Sequence, residues 1–177
     1  YDPFLDDASL PLVDFDNLLQ CEVICLHTPL TRSGAYPTFH LFDATVIARL
    51  RPGTVVLNAG RGAVIDNAAL LQRLLQQHDL QVVLDVWENE PVINAALLEQ
   101  VAIGTPHIAG YSAEGKWRGT EMVYEALCRH LGRDALPVPV KLAGDIVPYA
   151  VLVDDAALRV RFPVEGAAAF DGLRKHY

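Results

Sequence analysis

Thr54-Val55-Val56-Leu57-Asn58-Ala59-Gly60-Arg61-Gly62-Ala63-Val64-Ile65-Asp66 opens the stretch that decides the fold, and Val82-Val83-Leu84-Asp85-Val86 closes it. Both apolar runs read as buried strands. Between them, Asp66 is placed to cap a helix over residues 68–77, with Leu70, Leu71, Leu74 and Leu75 on one face. A strand, a helix and a second strand in this order form the unit of a parallel sheet.

The alternation extends in both directions. Upstream, Val23-Ile24-Cys25-Leu26 reads as a strand entering the loop His27-Thr28-Pro29-Leu30, and residues 31–38 read as loop. Asp43 precedes a helix over residues 44–50, which Pro52-Gly53 ends. Downstream, residues 93–100 read as a short helix and Val101-Ala102-Ile103 as a fourth strand. The strands are apolar throughout, as expected when both faces are covered, so the class is α/β with helices on both faces of a parallel sheet. Residues 112–131 turn helical, with Met122, Val123, Ala126 and Leu127 apolar; Pro137 and Pro139 then read as a linker. Residues 145–177 read as a separate, incomplete α+β unit. Its strands are Tyr149-Ala150-Val151-Leu152-Val153 and Leu158-Arg159-Val160-Arg161-Phe162, and a helix follows from about Glu165.

Composition narrows the function. The chain has 177 residues, 51% hydrophobic and 20% charged, which suits a folded globular chain. A net charge of −8 with scattered Lys and Arg argues against a nucleic-acid partner, since phosphate contacts need clustered cations. No apolar stretch reaches the ~20 residues that span a bilayer, so no membrane association is expected. Tyr1-Asp2-Pro3 has neither a basic nor an apolar leader and no initiator Met, which points to a fragment. Cys21, Cys25 and Cys128 show no metal-ligand spacing; Cys21 and Cys25 are expected to pack as small hydrophobes, in a reducing, cytoplasmic compartment. No metal is expected: the six histidines lack His-Glu-x-x-His spacing. A Gly-x-Ser-x-Gly elbow is absent, and so is the phosphate-cradling Gly-x-Gly-x-x-Gly.

In open parallel sheets, ligands sit outside the carboxyl ends of the strands. Thr28, Arg61, Glu90 and His107 all fall at or just after such ends. The Arg61 guanidinium matches a carboxylate in a bidentate way, and Gly60 and Gly62 let the backbone approach a ligand; taken alone, Arg61 is equally a surface-turn residue bridging to a nearby acid. His107 can take and give a proton near neutral pH, and a carboxylate beside it would fix its tautomer. Glu90 and Glu88 compete for that second role. Asp85 ends a strand, where it could accept hydrogen bonds from a ligand or cap the following turn.

Four ordered segments, Leu26 through Thr31, Asn58 through Asp66, Asp85 through Pro91 and Thr105 through Gly110, resemble the D-isomer-specific 2-hydroxyacid dehydrogenases. The runs His107 through Lys116, Asp154-Asp155-Ala156 and Phe170 through Tyr177 are similar to a branch of that family with an extra dimerisation domain. The resemblance implies part of a Rossmann-type sheet followed by a small α+β dimerisation unit. Residues 1–110 would be the carboxyl-terminal part of an NAD-binding domain, 111–134 a helix returning toward the substrate domain, and 135–177 a partial dimerisation domain that makes a homodimer. It implies Arg61, Glu90 and His107 as catalytic residues, and NAD contacts from Asp2, Thr28, Ala59, Arg61, Asp85 and Gly110. Tyr111 would touch a small phosphorylated 2-hydroxy acid. It also implies that the family's amino-terminal half, with its glycine-rich loop, and the end of the dimerisation domain are missing. A phosphoglycerate- or glyoxylate-type enzyme of the same family, a non-catalytic NAD-binding scaffold and an inert fragment are the alternatives.

Overall fold

The computed structural model of the chain describes residues 1–110 and 113–136. Its strands are β1 (Val23–Leu26), β2 (Val55–Asn58), β3 (Gln81–Leu84) and β4 (Ile103–Gly104), all parallel and in the order β1-β2-β3-β4. Leu26 lies beside Asn58, Asn58 beside Leu84, and Leu84 beside Gly104, so the four carboxyl ends form one level row. The parallel sheet expected from the sequence is therefore present, and this register brings its strand-end loops to one edge.

Three crossover helices connect the strands: α2 (Ala44–Ala48), α3 (Asn67–Gln77) and α4 (Ala95–Gln100). Each begins where a side-chain oxygen accepts an otherwise unpaired N–H: Asp43 from Val46, Asp66 from Ala69, Asn94 from Leu97. Right-handed crossovers between successive neighbours place all three on one face, where α3 packs between α2 and α4. The core lies there: Ile24, Leu26, Val56, Val82 and Leu84 from the sheet, with Ile47, Leu70, Leu74 and Leu97 from the helices. A short helix not anticipated from the sequence, α1 (Phe15–Leu18), precedes β1 under an Asp14 cap. The longest, α5 (Ala113–His130), lies within the expected 112–131. No helix among the described residues is long and apolar enough to cross a membrane.

The sequence reading is corrected in four places. Burial alternates along β1, β2 and β3 although their residues are uniformly apolar: Val23 is 57% exposed, and Val55, Leu57 and Val83 are half-buried. The α2–α4 layer covers one face only, which is the physical reason. Cys25 consequently stands exposed, and so does Cys21 in the turn after α1; neither packs as a core hydrophobe. Leu75 is 53% exposed, leaving Leu70 and Leu74 as the buried stripe of α3 with Leu71 at its margin. The fourth strand begins two residues later than expected, because Val101 closes α4 into the core. Gly104 pairs with Leu84, and a Cβ there would lie 2.6 Å from Leu98 Cδ1 and 3.0 Å from Trp87 Cζ2. The strands and helix expected over 145–177, and the linker at Pro137 and Pro139, lie outside the described residues.

Two contacts make the frame stiff. Buried Arg73 forks onto Asp79 (Nε–Oδ1 2.9 Å, Nη2–Oδ2 2.7 Å) and also donates to the carbonyls of Ala48 and Leu50, fastening the end of α2 to α3. At Gly62, a Cβ would sit 2.0 Å from the carbonyl carbon and oxygen of Trp87. The loop after β2 thus lies flush on the loop after β3. Gly62→Ala is expected to force these backbones apart and cost about 3 kcal/mol, whereas Gly110→Ala, with nothing within 4 Å of its Cβ, should stay within about 0.5 kcal/mol. Urea unfolding of the two variants checks this.

Candidate functional site at the strand ends

The loop after β3 carries the chemistry. Asp85, the first residue past the strand, is buried, and its carboxylate is fully engaged on one side. Oδ1 accepts from Thr105 Oγ1 at 2.6 Å and from the Ile108 N–H at 2.8 Å, and Oδ2 accepts from the Ala109 N–H at 3.0 Å. The carbonyl of Asp85 takes the His107 N–H at 2.7 Å. One residue therefore binds the whole turn after β4. Trp87 adds a second tie, its indole N–H donating to the Thr105 carbonyl at 2.9 Å.

Held this way, His107 adopts a left-handed backbone (φ 57), a conformation of order 1–3 kcal/mol above the ordinary regions for a residue other than glycine. Its Nδ1 lies 2.7 Å from Glu90 Oε2, and Glu90 Oε1 accepts the Trp87 N–H at 2.6 Å. Both side chains are partly buried, His107 at 30% and Glu90 at 20% exposure, so the pair is shielded yet reachable. Among the described residues Nε2 of His107 has no partner. With Glu90 holding a proton on Nδ1, Nε2 is the nitrogen free to accept one from a ligand.

The competition between the two carboxylates resolves into two pairs. Glu90 takes His107, while Glu88 takes a different histidine, His40, whose Nε2 lies 2.7 Å from Glu88 Oε1. His40 was not singled out by the sequence reading. It lies in a loop with no periodic pattern, and its pairing with a residue forty-eight positions away leaves no local signal.

The turn after β2 is ordered by Asn58, which is buried. Its Oδ1 accepts the Gly60 N–H and its Nδ2 donates to the Arg61 carbonyl, both at 3.1 Å. Arg61 is exposed; its Nη1 donates to the Gly60 carbonyl at 2.8 Å, and no carboxylate pairs with it among the described residues. Among the described residues the surface-turn bridge to an acid is thus not formed. Gly60 packs against the loop after β1, with a Cβ position 3.1 Å from the Thr28 carbonyl oxygen. Thr28 itself holds a buried hydroxyl without a hydrogen-bond partner among the described residues, an unusual state for a buried polar group.

The remaining expected contacts are placed less informatively. Ala59 is half-buried in the β2 turn, and Gly110 is exposed just beyond the Asp85-bound amides. Asp2 is exposed in an irregular segment, where its Oδ1 accepts the Phe4 N–H at 2.9 Å. Tyr111 lies outside the described residues. The structure therefore brings Thr28, Ala59, Arg61, Asp85, Glu90 and His107 to one edge of the sheet and gives Asp2 only local contacts.

Residues 2–109 match the family described as D-isomer specific 2-hydroxyacid dehydrogenase, NAD binding domain. Over its whole length the chain is 45% identical to an erythronate-4-phosphate dehydrogenase of Cellvibrio japonicus and 48% identical to one of Teredinibacter turnerae, covering 54% of each. It spans about half the length of these curated relatives. Among solved structures, a glyoxylate reductase from Paecilomyes thermophila superposes with a TM-score of 0.56 at 32% identity, over 72% of this chain and 39% of that one. The chain belongs to the D-isomer specific 2-hydroxyacid dehydrogenase family, and its residues 2–109 are the part that matches that family's NAD-binding domain.

Proposed function

We propose that the chain supplies the proton-transfer and carboxylate-binding residues of an NAD-dependent oxidoreductase that converts 4-phospho-D-erythronate to 2-oxo-3-hydroxy-4-phosphobutanoate, a step of pyridoxal phosphate (vitamin B6) biosynthesis. The observation that carries this reading is the Glu90–His107 pair, whose second imidazole nitrogen has no partner among the described residues. The relatives' identities favour this substrate over the glyoxylate- or phosphoglycerate-type alternative: 45% and 48% over the full chain, against 32% over 72% for the glyoxylate reductase.

The residues present fit NAD. The Thr28 hydroxyl, unpartnered among the described residues, the close-packed turn at Ala59 and Gly60, and the exposed Arg61, which pairs with no carboxylate among the described residues, all lie at the strand ends. Asp85 has a different share than expected: three hydrogen bonds within the protein leave its carboxylate about one further acceptor position for a ligand N–H. Asp2 would serve the ribose and Gly110 the adjoining backbone contact. When bound, NAD provides the acceptor for the hydride leaving C2 of the substrate.

His107 Nε2 takes the proton of the C2 hydroxyl as the carbonyl forms. Glu90 keeps Nδ1 protonated and stabilises the imidazolium that results. Arg61 grips the substrate carboxylate in a fork and lies beside the developing carbonyl oxygen. Tyr111 completes the substrate contact. Homodimerisation through residues 135–177 and a cytoplasmic location belong to the same proposal.

Joined to the amino-terminal half of the Cellvibrio japonicus relative, the chain should oxidise 4-phosphoerythronate. Replacing His107 by Asn in that protein should lower kcat by about 10²- to 10⁴-fold while NAD binding persists; steady-state kinetics and NAD titration measure both, and unchanged turnover contradicts the mechanism. The 177-residue chain alone contains no Gly-x-Gly-x-x-Gly phosphate cradle and should bind NAD more weakly than micromolar by calorimetry.

A further inference from the structure

We propose that Glu88 and His40 form a positioning pair, which sets Glu90 against His107 by fixing the short loop that carries both glutamates. This loop, from Trp87 to Glu90, has two carboxylates two residues apart, and each meets a histidine. Glu90 Oε2 lies 2.7 Å from His107 Nδ1, and Glu88 Oε1 lies 2.7 Å from His40 Nε2. Between them Asn89 adopts a left-handed backbone (φ 62), turning the chain between the two pairs.

Glu88 is anchored on three sides. Besides His40, its Oε2 accepts the Asn67 N–H at 3.0 Å, and its own N–H donates to Asn67 Oδ1 at 3.1 Å. His40 is equally constrained. Its backbone is left-handed (φ 50), its N–H donates to the Ala63 carbonyl at 2.9 Å, and its ring stacks on Phe39 with centroids 4.0 Å apart. The pair thus ties the loop after β3 to the start of α3 and to the segment before α2. Glu90 has no comparable anchor of its own: apart from His107 it accepts one N–H, from Trp87 in the same loop. What fixes Trp87 and Glu88 therefore fixes Glu90.

A metal is the obvious rival for this cluster, since ligand atoms of His40, Asp66 and Glu88 lie within 4.8 Å of one another. The geometry favours a proton instead. Glu88 and Asp66 face opposite nitrogens of the one ring, at 2.7 Å from Nε2 and 3.7 Å from Nδ1. Each carboxylate also accepts a backbone N–H, Glu88 from Asn67 and Asp66 from Ala69. With His40 hydrogen-bonded to Glu88 at 2.7 Å and both carboxylates already accepting backbone N–H groups, the cluster needs no ion to complete it.

The catalytic consequence rests on the role proposed for Glu90 and His107, so the test reads the contact itself and needs no turnover. In the ¹⁵N-labelled 177-residue chain, the His107 Nδ1 proton held by Glu90 should give a downfield, exchange-protected NMR signal. It is followed in Glu88→Gln and His40→Gln. Direct charge effects cannot give the same loss in both: removing the Glu88 charge loosens a proton on His107, whereas His40→Gln removes no negative charge and so does not loosen it by charge. Positioning predicts loss of the signal in both variants. Opposite changes in the two variants would overturn the proposal, as would an intact signal accompanied only by a lower unfolding temperature. If His40→Gln does not fold, His40→Asn replaces it. Failure of both to fold marks the pair as a stability element and likewise overturns the proposal.

Discussion

The buried carboxylate of Asp85 is the constraint on which the site depends. It sits at the end of the third strand and gathers a hydroxyl and two backbone N–H groups from the turn after the fourth, while its carbonyl takes a further N–H from His107. Hydrogen bonds to a charged acceptor contribute about 1.5–3 kcal/mol each. Three of them outweigh the 1–3 kcal/mol or so that a left-handed His107 costs. The strained imidazole is stable where it is because Asp85 holds the residues on either side of it.

The sheet supplies the rest of the precision. Parallel pairing in register levels the strand ends, so residues far apart in sequence leave the core at one edge. The loops there are not independent. Gly62 lies on the backbone of Trp87, Gly60 on that of Thr28, and the Trp87 indole bonds the Thr105 carbonyl. A displacement of any one loop is passed to its neighbour through close backbone contact and the Trp87 indole. This is the arrangement that the proposed acid–base pair and the proposed carboxylate contact of Arg61 need, since small misplacements of reacting groups cost large factors in rate.

Much of this was legible in the sequence. The strand runs, the caps Asp43 and Asp66, and the placement of Thr28, Arg61, Glu90 and His107 after strand ends all follow from local pattern and from the geometry of parallel sheets. What stayed hidden depends on contacts between distant residues. Uniformly apolar strands suggested two covered faces, but the order of the strands puts α2, α3 and α4 on one side, and Cys25 and Val23 face the other. Val101 belongs to the end of α4 by packing, and Gly104 to the strand by its pairing with Leu84. Glu88 and Glu90 are equivalent in sequence; only the fold shows that they serve different histidines, one of them His40. Asp85 was read as a ligand contact or a cap, and the structure shows it binding the turn after β4.

Amide hydrogen exchange of Asp85→Asn tests the dependence of the site on this carboxylate most directly. An amide side chain keeps a single acceptor oxygen, so the account predicts that the Ile108 and Ala109 N–H groups lose protection by roughly tenfold or more, while the amides within β1 and β2 keep theirs. Unchanged protection at Ile108 and Ala109 would contradict it.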